Sequence, residues 1–221
     1  MTRIRLRERA LPDYTRGEEI FNMSSHIAGG ALGVLTLLWC LFLSWGDGWG
    51  MTASIIYGLS FIQLYTISSV YHGLRPGTAK RVLQVIDHCT IYLFIAGTYT
   101  PVMLCSLRPV HPGWAWGILG AVWGIAILAI VLNGIDLKTF KVFSMVCYIG
   151  MGWCVIVGIK PVMEVVPSGG LWLLVLGGVA YTIGAVLYGM GKKRRYMHSV
   201  FHVFCVIGSV LQALCIGLYI L

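Results

Sequence analysis

The chain has 221 residues; 58% are hydrophobic, only 11% are charged, and the formal net charge is +8. A soluble domain carries about 25% charged residues, so composition excludes that class. The long apolar runs lack the alternation of barrel strands, and no soluble aromatic-interleaved module is present that would turn the positive charge toward nucleic acid. The excess of Lys and Arg instead reads as a topology signal with attraction to anionic lipid head groups.

The first stretch, MTRIRLRERALPDY, is basic and has neither an apolar core nor a small-residue cleavage site before Pro12. It is not expected to act as a cleaved signal peptide, and residues 1–19 read as a basic cytoplasmic arm. Seven apolar runs follow, at 20–45, 49–73, 82–107, 114–132, 142–159, 170–190 and 197–221. Each is long enough for a transmembrane helix, and the loops between them are short. The expected fold is an all-α integral membrane protein, with residues 20–221 forming one seven-transmembrane helix bundle.

Basic residues set its orientation. Arg3, Arg5, Arg7, Arg9 and Arg16 lie in the arm, Arg75, Lys80 and Arg81 follow the second run, Lys138 and Lys141 follow the fourth, and KKRR (Lys192 to Arg195) follows the sixth. Only Arg108 and Lys160 fall on the opposite side. Positively charged loops stay in the cytoplasm, which predicts an N-terminus inside, a C-terminus outside and a multi-pass membrane protein.

Polar residues within the runs are few. Asn22 and His26 open the first, where they also read as ordinary helix-start groups. Ser68 and His72 share a helix face in SSVYH. Asp87, followed by His88 and Cys89, is the one carboxylate clearly inside a run. Pro101 in GTYTPV predicts a kink, with Thr98 and Thr100 satisfying freed backbone groups. His111, beside Pro112, reads as a solvated loop residue. Gly117, Gly120 and Gly124 in GILGAVWG read as close-packing positions. The seven cysteines are odd in number, contain no CxxC and lie in apolar runs, so a disulfide framework is not expected. Cys89 and Cys205 are weak candidates for a place around a site.

In HSVFH, His198 and His202 stand at i and i+4, a spacing that directs two imidazoles to one point, as HExxH does in zinc proteases. Alone, the pair reads equally well as interface polarity beside KKRR. Depth decides between the two. His72 lies three residues before Arg75, Asp87 six after Arg81, and His198 and His202 three and seven after Arg195. At about 1.5 Å per residue all four fall within roughly 10 Å of the basic ends of their helices, in one layer that His26 shares. Ionisable groups at such depth are costly and mark function. Three neutral imidazoles suit Zn2+ with an open fourth position, and Asp87 offsets part of its charge. The roles expected are metal ligands at His72, His198 and His202, orienter or general base at Asp87, and an oxyanion donor at Ser68. Asn22, His26 and His88 are candidates for the surrounding shell.

Taken together, EEIFNMSSHIAGG, SSVYHGL, DHCTIYLFIAGTYTPV and HSVFHVF, in this order across seven runs, resemble the hemolysin III branch of the progestin and adipoQ receptor family, within a wider set of membrane metal hydrolases that includes alkaline ceramidases. The resemblance implies zinc held by His72, His198 and His202 on the cytoplasmic side. It also implies that Asp87 approaches the metal through water and that Ser68 is the serine four residues before the ligand. Three functions follow as expectations: zinc-dependent hydrolysis of a lipid amide or ester; a non-enzymatic homeostasis or receptor-like role with structural zinc; and, with least support from such apolar spans, a pore or cytolysin. A membrane lipid is the expected substrate or ligand, and a homo-oligomer is compatible with the sequence.

Overall fold

The structure, a computed structural model, describes residues 10–190 and 194–221. The arm residues Arg3, Arg5, Arg7 and Arg9 and two of the four KKRR residues, Lys192 and Lys193, lie outside that description. Among the described residues, seven helical segments are long and apolar enough to cross a membrane.

Helix α1, Arg16–Leu43, begins inside the stretch assigned to the arm, because Thr15 and Glu18 form a capping box there. Helix α2 runs Gly48–Gly73, with the Asp47 carboxylate accepting from the Trp49 and Gly50 amides at its start. Helix α3 runs Thr78–Pro101 and continues as a π-helical stretch, Val102–Leu107. Helix α4 spans Pro112–Asp136, with proline in the first turn, where its missing N–H costs nothing.

The fifth span is broken. Helix α5, Lys141–Gly152, passes through a 3-10 stretch, Cys154–Gly158, into α6, Ile159–Val165. Tyr99 bridges the break, its hydroxyl donating to the Gly152 carbonyl at 3.1 Å and accepting from the Val155 amide at 3.0 Å. Backbone groups freed within a membrane require such partners. Helix α7 is Ser168–Met190, and α8, Met197–Cys215, ends in a π-helical stretch, Ile216–Ile220.

The third span is the central one, 67% of its most apolar window being buried, whereas the fifth is peripheral at 17%. Tyr57, Phe61, Tyr65 and Phe94 form a fully enclosed aromatic core shared by α2 and α3. A second core joins α3, α4 and the fifth span around Met103, Leu107, Val122, Met151 and Val162. Large apolar side chains such as Leu35, Phe42, Leu128 and Val142 face outward, as a lipid-facing surface requires.

Close packing falls at other glycines than the sequence suggested. A Cβ on Gly117, Gly120 or Gly124 would meet nothing within 4 Å, because these three lie on the outer face of α4. Tight contacts occur at several other glycines, among them Gly29, where a Cβ would meet the Tyr65 ring, Gly97, where it would meet the Ser60 hydroxyl, and Gly217, where it would meet the Trp39 ring. The threonines near Pro101 also differ from expectation. Proline deprives the carbonyl four residues back, that of Gly97, of its partner. Thr98 donates to the Phe94 and Ile95 carbonyls and Thr100 to that of Ala96, so neither reaches Gly97. His111 is paired, its Nε2 lying 2.7 Å from Glu164 Oε2. The seven cysteines are free thiols.

Candidate metal centre

The site lies at the end of the bundle where α1, α3 and α8 begin and α2 ends. The start of α1 is locked first. The Thr15 amide and hydroxyl each donate to Glu18 Oε2 at 2.8 Å. Glu18 Oε1 accepts from the Tyr196 amide at 2.6 Å, which ties the α7–α8 connection to α1. Tyr196 itself adopts a left-handed conformation, with φ 61°, as α8 starts. The capping box thus fixes where His198 and His202 enter the bundle relative to α1.

His72, His198 and His202 converge. Each offers one ring nitrogen, and the three nitrogens lie within 4.8 Å of one another. His198 Nε2 and His202 Nε2 are 3.0 Å apart. Two corners of a tetrahedron with zinc–nitrogen bonds of about 2.0–2.1 Å would be about 3.3 Å apart, so this pair already stands near ligand spacing.

His72 is oriented from behind. Its Nδ1 lies 2.6 Å from Glu19 Oε2. The second Glu19 oxygen accepts from Lys80 Nζ at 2.6 Å, and Lys80 donates also to the Leu74 carbonyl at 2.9 Å. With Nδ1–H donating to the carboxylate, Nε2 carries the lone pair, and that atom is buried without a partner. A buried unsatisfied nitrogen costs about 1–3 kcal/mol, which coordination of a cation would relieve. A carboxylate behind a ligating histidine is the usual arrangement around metals, because it fixes the tautomer and raises basicity. Three neutral imidazoles, one with such a partner, fit a borderline-soft divalent ion such as zinc.

Tyr14 covers the cluster from outside. Its ring stacks on His198 at 5.0 Å and 13° and lies 5.8 Å from His72. Burial raises the pKa of the Tyr14 phenol well above its ordinary range, so this cover is neutral. His26 stacks on His202 at 3.7 Å and 17° and meets the Tyr65 ring edge-on at 4.8 Å. Both His26 nitrogens and both polar atoms of Asn22 are buried without partners among the described residues. His26 thus stands directly beside the candidate ligand His202.

Asp87 and Ser68 both stand on the wall of the adjoining cavity. Asp87 is not one of the three converging ligands. His88 turns its Nδ1 to the Gln84 carbonyl at 2.8 Å and lines the cavity with Asp87, and Cys89 donates weakly to the Ile130 carbonyl at 3.9 Å. Cys205 lines the cavity close beyond His202.

That cavity has a volume of about 240 Å³. It runs from Ser68, Asp87, His198 and His202 past Phe94 and Met103 to Val162 and Leu171, and its wall is overwhelmingly apolar. Glu19 and Tyr14 are the functional candidates that sequence reasoning missed. The only sequence signal for Glu19 is an acid in the first turn of a helix, which ordinarily serves the helix dipole.

The sequence profile described as "Haemolysin-III related" matches residues 14–213. The chain is 34% identical over 207 residues to "Hemolysin-3" of Bacillus cereus, covering 92% of each chain. It is 33% identical over 208 residues to the "Hemolysin-3 homolog" of Bacillus subtilis (strain 168), covering 93% of this chain and 96% of the relative. A more distant relative, the "Monocyte to macrophage differentiation factor" of Homo sapiens, is 25% identical over 185 residues, 79% of this chain and 73% of the human protein.

Proposed function

The chain belongs to the haemolysin III family and is a multi-pass protein of the bacterial inner membrane, and we propose that it is a zinc-dependent hydrolase of a long-chain lipid amide or ester. The observation that carries this reading is the continuity of the histidine cluster, Asp87 and Ser68 with an apolar cavity of about 240 Å³. An acyl chain would fill the apolar part and leave its carbonyl at the histidines.

Zinc held by His72, His198 and His202 would supply Lewis acidity toward a carbonyl oxygen and toward water. The chain's own residues do the rest. Glu19 holds the His72 ring with Nε2 toward its partners. Asp87 takes a proton from a water beside the acyl carbonyl. Ser68, on the same cavity wall, donates to the oxyanion that develops there. Tyr14 keeps bulk water from the cluster on the outer side. The basic end carries Arg16, Arg75, Lys80, Arg81, Arg194 and Arg195 and faces the cytoplasm in this reading, so the lipid would enter from the inner leaflet.

A second reading has its own support. The cluster joins α2 to α8, which are far apart in sequence, so a bound metal would also close the bundle as a structural clamp. Purified protein incubated with defined long-chain amides and esters separates the two. Turnover that needs zinc and is lost in Asp87→Asn supports hydrolysis. Zinc-loaded protein inert toward both classes, with melting temperature falling sharply on chelation, supports the clamp.

A further inference from the structure

Two turns beyond His202, α8 carries a buried polar cluster that no step above uses. Tyr65 Oη and Ser209 Oγ are 2.7 Å apart, and Ser209 Oγ and Tyr181 Oη are 2.8 Å apart. Tyr65 and Ser209 are fully enclosed, at 0% exposure, and only Tyr181 lines the cavity. Either atom can be the donor in each contact, and three hydroxyls bring three protons to two contacts, so one proton has no acceptor within the trio. On Tyr65 or Ser209 that proton would be enclosed at 0% exposure, which burial penalises. The arrangement of lowest cost has Tyr65 donating to Ser209 and Ser209 to Tyr181, leaving the spare proton on Tyr181, the one member of the trio that lines the cavity.

Of the other hydroxyls along the cavity, those of Thr98, Tyr99, Tyr148 and Thr182 each donate to a backbone carbonyl, and Tyr188 stands at the histidine end, its ring 5.4 Å from that of His198. A free O–H donor in an apolar, membrane-embedded space costs free energy unless an acceptor meets it, and polar groups kept at such depth mark a ligand path. Ser209 follows His202 by seven residues, about 10 Å along the helix.

We infer that Tyr181, held by Ser209 and Tyr65, is a second anchor in the cavity, accepting a chain ligand with a hydroxyl or keto oxygen about 10 Å from the carbonyl held at the histidines. This rests on the lipid reading above and narrows it to acyl chains oxygenated in mid-chain. Tyr181 is a specificity-determining residue, and its role does not depend on turnover.

The test is binding to the purified protein in nanodiscs, scored by displacement of a fluorescent fatty acid. Saturated acyl amides of one length carry a single hydroxyl moved stepwise along the chain, with the unsubstituted amide as reference. The expected result is a maximum in affinity at one mid-chain position, roughly tenfold above the reference. Tyr181→Phe should abolish that maximum, the position-dependent gain over the unsubstituted amide measured on the same variant falling to none. A flat profile in wild type overturns the inference, as does a maximum that survives in Tyr181→Phe; a water resident at Tyr181 gives the flat profile. The wild-type profile stands alone if the variant does not fold. A maximum without hydrolysis of any chain leaves the anchor in place and removes the enzyme reading. Failure of every chain to bind removes both.

Discussion

Glu19 serves two partners through one carboxylate. One oxygen takes His72 Nδ1 and the other takes Lys80, both at 2.6 Å. Glu19→Gln keeps the shape but removes the charge that favours the Nδ1–H tautomer of His72. Zinc affinity should then fall by about 10–100-fold, as read by competition with a chelator of known affinity. Asp87 makes a different prediction, because it stands outside the converging three. Asp87→Asn keeps the shape but no longer takes a proton. Zinc content and melting temperature should stay near wild type, while turnover of a long-chain amide falls by about 10²–10⁴-fold. Loss of zinc in that variant would place Asp87 among the ligands and contradict the arrangement. At this scale the sequence told more about ligands than about what orients them. His198 and His202 declare themselves by i, i+4 spacing, whereas Glu19 meets a partner 53 residues away, and nothing local distinguishes it from a first-turn acid.

Among the elements, the bilayer makes length and polarity legible but not internal geometry. The seven runs were readable because each must cover the same apolar thickness. The break between α5 and α6 was not, because Trp153, Cys154 and Val155 are as compatible with a helix as with the 3-10 stretch they join; it depends on Tyr99 from another helix. Glycine shows the same limit. GILGAVWG has the spacing of a packing face, yet that face points outward, while the single Gly97 carries the α2–α3 approach. Gly97→Ala should therefore lower stability by about 1–3 kcal/mol, its Cβ meeting the Ser60 hydroxyl. Gly120→Ala, with nothing within 4 Å, should be neutral or gain up to about 1 kcal/mol from helix propensity. Thermal unfolding in one detergent compares the two, and equal losses would place the α4 glycines at an interface.

For the whole molecule, the charge distribution and the site are linked. The histidine cluster sits at the end whose connections carry nearly all the Lys and Arg, so the orientation of the bundle decides which leaflet feeds the site. A C-terminal alkaline phosphatase fusion should be active and a C-terminal fluorescent-protein fusion dark, as a periplasmic C-terminus requires; the reverse pattern would turn the site toward the outer leaflet. Everything proposed for the cavity depends on one earlier claim, that His72, His198 and His202 hold zinc. Elemental analysis of purified wild type, His72→Ala and His202→Ala tests it most directly. The account predicts zinc stoichiometric with the chain in wild type and lost in both variants at retained helix content by circular dichroism. A folded wild type free of metal under zinc-replete growth, or zinc retained in both variants, would contradict it.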